Sequence, residues 1–271
     1  MLKKTISLSF LLLFFVLKTH CQKDTLNLYQ VQYERVLSVG DGITPFVSIY
    51  EYTKFIEFNK SIYNRKNKIE TTKNLIEGDE SNTVLYFTPK GKNISVVYKD
   101  YETRELHSKH EVAYKYFVVK DSLDIFNWEI LNESKEILGY TCQLATMNFR
   151  GRKYEAWFSS KLPVGGPWKY DGLPGLILEM KSLDNFISFK AISLKNLKFV
   201  SKTLKNPFET KDAITWQEFT TLYKKKAIEL ISYRPVEGSA GIESSKGGIE
   251  IYIKEDDKEY NEALKKIRGN N

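Results

Sequence analysis

Apolar and polar residues alternate along most of this chain. Residues 28–39 place apolar side chains, from Tyr29 to Val39, on one face, and residues 46–58 repeat the pattern. A period of two with aromatic and β-branched residues predicts β-strands. The same pattern predicts strands at 83–88, 94–99, 101–119 (a hairpin), 125–131, 140–149, 152–158, 175–181, 186–193 and 195–200, with a loop at 59–82. Short turns join these strands, which favours an antiparallel sheet, because parallel strands need long crossovers.

The spacing of apolar residues changes from a strand period to a helical period once, near residue 215. Thr215 followed by Glu218 forms a capping box, the signature of a helix N-terminus. Apolar residues from Phe219 to Ile231 then recur at helical spacing. The sequence predicts a helix over about 215–232 whose apolar stripe packs on the sheet.

These elements predict an α+β fold that is mainly β. We expect a large curved antiparallel sheet, half-barrel-like, with one C-terminal helix packed on it. Residues 22–236 form a single domain in this interpretation, and 237–271 a flexible, charged C-terminal segment, since 237–248 are rich in Gly and Ser. Within that segment, residues 249–253 could add an edge strand, and 255–271 are predicted to be a charged, weakly helical tail.

The N-terminus resembles a secretory signal peptide over residues 1–21. Lys3 and Lys4 precede an apolar run, 6–17, that is too short to span a bilayer. Cleavage after Cys21 is one alternative and lipidation of Cys21 is the other. The predicted protein is exported: periplasmic, outer-membrane-associated or secreted, with no transmembrane segment in the mature chain.

Cleavage changes the charge and the cysteine count. The net charge of +7 falls to +4, because residues 1–21 hold three lysines and no acidic residue. This balance does not indicate a nucleic-acid partner. Cys142 becomes the only cysteine, so the hydrophobic core has to hold the fold without an internal disulfide.

The candidate catalytic groups are few. His107 and His110 have HxxH spacing on a predicted strand, so their imidazoles should face opposite ways. We therefore predict no metal site, no cofactor and no catalytic residue. A thiol-dependent hydrolase that uses Cys142 with His107 or His110 stays open as a less favoured alternative.

A loop rich in proline and glycine, residues 159–175, is the least ordinary stretch. Glycine permits close backbone approach and proline fixes φ, so this composition predicts a specified conformation. Trp157, Trp168 and Tyr170 surround the loop and are candidate ligand-binding residues, with core packing as the alternative. The residues concerned are Pro163, Gly165, Gly166, Pro167, Gly172, Pro174 and Gly175.

Arg150 and Arg152 flank a glycine at a predicted hairpin tip. They are candidate anchors for an anionic group. The alternative is an exposed turn or a structural pair with Asp171 or Glu179.

The same region is similar to the GLPGLI family of bacterial envelope proteins. The resemblance is carried by Trp128, 137–142 (ILGYTC), 149–152 (FRGR), 156–158 (AWF), Pro163, 166–168 (GPW) and 172–177. The hexapeptide itself is Gly172, Leu173, Pro174, Gly175, Leu176 and Ile177, and Cys142 matches a cysteine of the pattern. The resemblance implies a secreted or periplasmic protein with no established reaction. The strand order also resembles LolA-type lipoprotein carriers at the level of the fold alone.

We therefore predict an exported, non-enzymatic envelope protein that binds a lipid-like, apolar or amphipathic ligand, or a segment of a partner. The expected site is a curved sheet under the 159–175 loop. The alternative is a structural or assembly partner of an envelope complex.

Overall fold

The structure is a computed structural model that describes residues 25–38, 44–66, 96–163, 165–200, 204–232 and 246–268. The predicted signal peptide and the predicted strand at 83–88 lie outside these residues. None of the described helices is long and apolar enough to cross a membrane.

Twelve strands of the described residues form one sheet. They are β1 (Thr25–Leu37), β2 (Phe46–Phe55), β3 (Lys60–Arg65), β4 (Val97–Asp100), β5 (Glu105–Val112), β6 (Lys115–Ser122), β7 (Glu129–Ile137), β8 (Tyr140–Phe149), β9 (Arg152–Ser159), β10 (Leu176–Ser182), β11 (Ile187–Val200) and β12 (Ile214–Thr215). A short 3-10 helix, Leu123–Ile125, follows β6, and two α-helices, α1 (Trp216–Ser232) and α2 (Lys258–Arg268), follow β12.

The sheet is open and almost wholly antiparallel. Its order is β12-β6-β5-β4-β3-β2-β1-β11-β10-β9-β8-β7. The pairing of β12 with β6 is parallel, whereas the other pairs between described strands are antiparallel. The predicted antiparallel sheet is confirmed.

The chain connection between β6 and β7 shows that the sheet bends. β6 is second in the order and β7 is last, yet only residues 123–128 join them. Ten spacings of about 4.8 Å would separate the strands by roughly 48 Å in a flat sheet. Seven Cα steps of at most about 3.6 Å reach only roughly 25 Å. In agreement, Arg150 after β8 bonds Asp121 of β6 at 2.7 Å, so the predicted half-barrel-like curvature is present.

Tyrosine side chains fill much of the inner face. Tyr33, Tyr50, Tyr52 and Tyr63 are all fully buried, on the three neighbouring strands β1–β3. The rings of Tyr50 and Tyr63 stack with centroids 5.0 Å apart. Tyr33 Oη donates to the carbonyl oxygen of Ile177, which ties β1 to β10. The tyrosines therefore form a packed core.

Helix α1 begins at the predicted capping box. The Thr215 hydroxyl accepts from the Glu218 N–H at 3.2 Å, and the Glu218 carboxylate accepts from the Thr215 N–H at 2.7 Å. Phe219, on the apolar stripe, is fully buried against Val112 and Val119 of the sheet. The predicted helix and its packing on the sheet are confirmed.

Three segments differ from the sequence-based expectation. The strand expected at 125–131 begins only at Glu129 and continues to Ile137, because the 3-10 helix Leu123–Ile125 precedes it. Residues 60–65, expected in a loop, form β3 because Ile62 and Tyr63 are buried between neighbouring strands. In the C-terminal segment, expected to be flexible, Glu250 and Ile253 are buried, and the tail expected to be weakly helical forms α2. Residues 246–253, called here the C-terminal strap, lie against the turn after β8, where the Ile251 N–H donates to Arg150 O at 3.0 Å.

Candidate functional site

The proline–glycine loop lies on the inner face of the bent sheet. Lys99 Nζ of β4 donates to the carbonyl oxygens of Gly166 and Tyr170, at 3.2 and 2.6 Å, and to Asp171 Oδ2 at 2.9 Å. Tyr101 Oη donates to the same Asp171 oxygen at 2.8 Å. The loop is therefore anchored to strand β4 and the turn after it.

Close approach explains two of the glycines. A Cβ at Gly165 would lie 1.9 Å from the Tyr52 hydroxyl oxygen, and one at Gly175 would lie 2.2 Å from the Ser159 carbonyl oxygen. Both distances are far below van der Waals contact. Gly165 also has φ of +132°, a conformation that is costly for other residues. The composition of the loop thus serves its insertion into the core.

The loop aromatics Trp168 and Tyr170 are interior residues. Tyr170 has no exposed surface and packs against Tyr154 and Phe189, with ring centroids 5.1 and 5.8 Å away. Trp168 is edge-to-face with Tyr170 at 5.4 Å. The expectation that these two rings line an open ligand site needs correction, because the loop itself occupies the inner face.

Trp157 belongs to another surface. It follows Ala156 on β9, so its side chain points away from the face that carries Tyr154 and Tyr170. Lys135 Nζ lies 4.4 Å from the Trp157 ring centroid and bonds Glu179 at 2.8 Å. The structure therefore does not bring the three predicted aromatic residues together.

Arg150 is a largely enclosed structural cation. It bonds Asp121 and Glu250. Glu250, on the C-terminal strap, also accepts from Lys169 Nζ at 2.7 Å, and both of these side chains have no exposed surface. Asp121 and Glu250 raise the pKa of Arg150 against the opposing effect of burial. The anionic partners of Arg150 are thus carboxylates of this chain, Asp121 and Glu250, rather than an external ligand.

Arg152 holds the strap as well. Its Nε donates to Ile249 O at 3.0 Å and its Nη2 donates to Gly248 O at 2.9 Å, while Nη1 bonds Asp184. Its partners are not Asp171 or Glu179, the pair considered from the sequence. With these contacts made, Arg152 is not presented to an external anion.

Lys99, Lys169 and Glu250 were missed by sequence reasoning. Each lies in a stretch where alternation with large apolar residues is the only signal: Lys169 stands between Trp168 and Tyr170. Charged residues at such positions are usually solvated. Only the three-dimensional arrangement reveals that they pair in the interior.

The hexapeptide 172–177 is part of the core. Leu173, Leu176 and Ile177 are buried, whereas Gly172 and Pro174 are exposed. The Ile177 N–H donates to Gly165 O at 3.0 Å. The motif thus ties Gly165, in the middle of the loop, to the start of β10.

Cys142 and the two histidines form separate environments. Cys142 is buried, its thiol donates to Tyr140 O at 3.4 Å, and burial raises its pKa. His110 packs 4.7 Å from the Phe219 ring, and burial, assisted by Lys169 and Arg150, lowers its pKa. His107 lies on the opposite face of β5, near Asn206. No hydrogen bond joins the thiol to an imidazole among the described residues, so the arrangement lacks an activated thiol.

Metal-binding groups are also absent from the described part of the chain. No three His, Cys, Asp or Glu side chains there are placed to hold an ion.

An open apolar groove lies between the β5–β6 hairpin and α1. It has a volume of about 500 Å³. We call it the hairpin–helix groove; its lining residues are Val112, Ala113, Lys115, Phe117, Leu222, Lys226, Glu229 and Leu230. No local sequence pattern indicates this groove, because its two walls are distant in the chain.

The turn beside the groove is conformationally unusual. Ala113 and Tyr114, its two central residues, have φ of +47° and +64°. Such turns normally contain Asn or Gly. Tyr114 is 92% exposed at the tip, so the strained turn presents an aromatic side chain to the surroundings.

Comparisons with known proteins address the family. The family described as "N-glycanase peptide, N-terminal domain" matches residues 56–218, more than half of the chain. No curated protein sequence matches. The GLPGLI hexapeptide remains a resemblance in sequence.

Solved structures are distantly similar. PNGF-II in space group P21 has a TM-score of 0.45 and 16% identity, covering 74% of this chain and 34% of that chain. PNGF-II in space group C2 gives 0.44 and 16%, covering 74% and 33%. An outer membrane lipoprotein-sorting protein domain from Vibrio parahaemolyticus gives 0.28 and 7%, covering 66% and 87%. This chain spans about a third of the length of the PNGF-II chains. On the match over residues 56–218, the chain belongs to the N-glycanase peptide, N-terminal domain family.

Proposed function

We propose that this chain is a non-catalytic binding module of the bacterial envelope that holds an amphipathic ligand in the hairpin–helix groove. The observation that carries the proposal is the groove itself: an open, mainly apolar cleft beside a strained turn. Because Trp168 and Tyr170 are buried, the proposed site moves from the 159–175 loop to this groove.

The walls suit an apolar chain. Phe117 and Leu222 line the groove from strand and helix, and Leu230 stands at its edge with 39% of its surface exposed. Concave sites lined by apolar side chains with a few polar groups are typical of ligand binding. Burial of each methylene of a ligand contributes about 0.8 kcal/mol.

The polar groups favour an acidic end on that ligand. Lys226 pairs with Glu229, whereas Lys115 makes no ion pair with any described residue. An ammonium group beside an apolar cleft would attract a carboxylate or phosphate. We therefore propose a ligand with an apolar chain and an anionic head group.

The backbone of the turn supports a role for the surface. Two non-glycine residues in the left-handed region cost about 1 kcal/mol or more each. The hairpin could have avoided this with Asn-Gly. Strain that persists beside an open cleft is typical of functional sites.

The family description names the N-terminal domain of an N-glycanase. We propose that this domain has a holding or positioning role rather than a bond-cleaving one. The separate environments of Cys142 and the imidazoles are consistent with that division.

Binding of a fluorescent long-chain fatty acid tests the proposal. Leu230→Glu places a carboxylate at the groove, and Leu183→Glu makes the same change in the turn after β10, where the side chain is 47% exposed. We expect Leu230→Glu to weaken binding at least about tenfold, or about 1.4 kcal/mol, and Leu183→Glu to bind as the wild type does. Both sites are exposed, so both variants should keep the wild-type melting temperature.

Native mass spectrometry of protein purified from its own envelope identifies any natural ligand that remains bound. An acyl compound that is lost in Leu230→Glu supports the proposal. Absence of fatty-acid binding, or equal binding by all three proteins, contradicts it. A protein partner lost only in Leu230→Glu would favour the assembly alternative, for which the exposed Tyr114 would be the contact.

A further inference from the structure

A second cavity, with different chemistry, lies on the other side of β5. It has a volume of about 270 Å³ and is bordered by strands β3–β6 and by the segment that carries Asn206. His107 lines it and is only 4% exposed. The family match and the groove proposal assign nothing to this cavity.

Hydrogen bonds fix the orientation of the Asn206 amide. The Phe208 N–H donates to Asn206 Oδ1 at 3.0 Å. The amide nitrogen is then turned toward His107, and Nδ2 donates to His107 Nδ1 at 3.4 Å. Since Nδ1 accepts, the hydrogen of the neutral ring resides on Nε2.

Nε2 of His107 has no hydrogen-bond partner among the described residues. Because His107 lines the cavity, its Nε2–H is the donor available to an occupant. Burial lowers the pKa of His107, so the ring is neutral at pH 7. A buried imidazole thus offers one oriented donor to whatever occupies the cavity.

The charges of the wall are paired. Asp100 bonds Lys60 at 3.5 Å, and Glu105 bonds Lys120. All four residues line the cavity, two of each sign. Because the charges balance, the wall gives no preference for an anion or a cation.

The remaining polar groups suit hydroxyls. Thr103 and the carboxylates line the same cavity as His107, and Tyr98 offers a ring next to the imidazole, with centroids 6.3 Å apart. A ligand that fits must both donate and accept hydrogen bonds. At roughly 30 Å³ per water, the cavity has room for about nine waters, which corresponds to a single ring.

We infer that this cavity binds one neutral, hydroxyl-rich ring of the monosaccharide or cyclitol type, with the Nε2–H of His107 donating to a hydroxyl oxygen. The inference stands independently of the hairpin–helix groove. The carboxylates accept from neighbouring hydroxyl groups, and the Tyr98 ring packs on the apolar face of the ligand.

The experiment is NMR of the imidazole nitrogens of the full chain at pH 8.5, with titration of D-glucose and myo-inositol as free rings. Maltotriose presents the same ring within a chain, and sulfate is the charged comparison. We expect the His107 resonances to show Nε2 protonated and to shift saturably with the neutral rings but not with sulfate. Response to maltotriose would assign the site to the end of a glycan, and exclusion of maltotriose would assign it to a free ring.

Two variants test the donor. Asn206→Asp retains the acceptor for the Phe208 N–H but replaces the donor to Nδ1 with an acceptor, which moves the ring hydrogen to Nδ1. His107→Phe keeps a ring and removes both nitrogens. We expect each to lose at least tenfold in affinity, while Tyr114→Ala, at the far turn of the hairpin, binds as the wild type does.

Three results would overturn the inference: no saturable shift with any neutral ring, a preference for sulfate, or undiminished affinity in both cavity variants. Thermal denaturation shows that each variant is folded before it is titrated. If the fatty-acid probe binds and the rings do not, this inference fails while the proposed function stands.

Discussion

Three lysine side chains are nearly or fully enclosed, and each has specific partners. Lys99 binds the loop, Lys169 binds the strap, and Lys54 Nζ donates to Asn59 Oδ1 at 2.9 Å while lying 3.3 Å from the Tyr101 ring centroid. A buried ammonium without such partners would be costly. Lys99 and Lys169 therefore fix the positions of the loop and the strap, and Lys54 holds the turn after β2. No disulfide joins the described residues.

Lys54 gives stability a pH dependence. Burial lowers its pKa to about 8, with the charge of Lys99 acting in the same direction and that of Asp171 against it. Below pH 8 the folded protein holds an unfavourable charge, and between pH 8 and about 10 the unfolded chain binds more protons. The free energy of unfolding should thus rise with pH there, by up to about 1.4 kcal/mol per unit for this group.

Urea denaturation at pH 7, 8, 9 and 10 measures this slope. Lys99 and Lys169 also have pKa values lowered by burial, so the contribution of Lys54 is the difference between wild type and Lys54→Met. The variant should show a smaller slope. An unchanged slope in Lys54→Met would assign the dependence to the other lysines.

At the scale of elements, the C-terminal strap is joined to the sheet by charge and by backbone hydrogen bonds. Glu250 sits between Lys169 and Arg150, and Arg152 binds two strap carbonyl groups. The strap also brings Ile253 to the cluster shared by α1 and α2. Strap, helices and the loop therefore depend on one another.

Glu250→Gln should separate the contribution of the buried charges from that of the backbone hydrogen bonds of the strap. Loss of the carboxylate leaves Lys169 buried without a counter-ion, which costs about 3–5 kcal/mol. Glu255→Gln is the matched control, since the side chain of Glu255 is exposed and its pair with Lys246 contributes little. Urea denaturation of both variants measures the costs, and equal costs would show that the buried pair does not hold the strap.

The elements that the sequence predicts are those with an uninterrupted local pattern. The alternation through Tyr29–Val39 predicts β1, and the Thr215–Glu218 box predicts α1. β3 has only Ile62 and Tyr63 to mark it within a polar stretch, and pairing with β2 and β4 decides its conformation. The strap is short and has two adjacent glycines, Gly247 and Gly248, so its order comes from Arg150, Arg152 and Lys169, far away in the sequence.

The candidate sites were less predictable than the fold. The hairpin–helix groove and the His107 cavity arise where distant segments meet, and no local pattern encodes such a meeting. The loop composition did indicate a specified conformation, yet it could not distinguish a ligand platform from a core element. That distinction depends on whether the Tyr170 ring faces an open cavity or is covered by other side chains.

At the scale of the molecule, a bent open sheet has an inner face that must be covered. Here the 159–175 loop covers it. Tyr170 packs against side chains of β9 and β11, and Lys99 holds the loop from β4. The connection 123–128 closes the remaining side, where Trp128 Nε1 donates to Asp171 O at 2.7 Å. The loop therefore acts as the centre of the core, and the proposed ligand sites lie outside it.

This arrangement predicts that a change at Tyr170 lowers the stability of the fold but leaves fatty-acid binding unchanged. Tyr170→Ala removes a fully buried ring and should lower the free energy of unfolding by about 3–5 kcal/mol, with fatty-acid binding to the groove retained while the protein is folded. Tyr170→Leu, which keeps apolar contact, should cost less and serves if the alanine variant does not fold. Trp157→Ala, at a half-buried site on the other face, should cost less than Tyr170→Ala. Wild-type stability with lost binding in the Tyr170 variants would instead mean that the loop is a ligand platform, because only an unpacked ring can be removed without loss of stability.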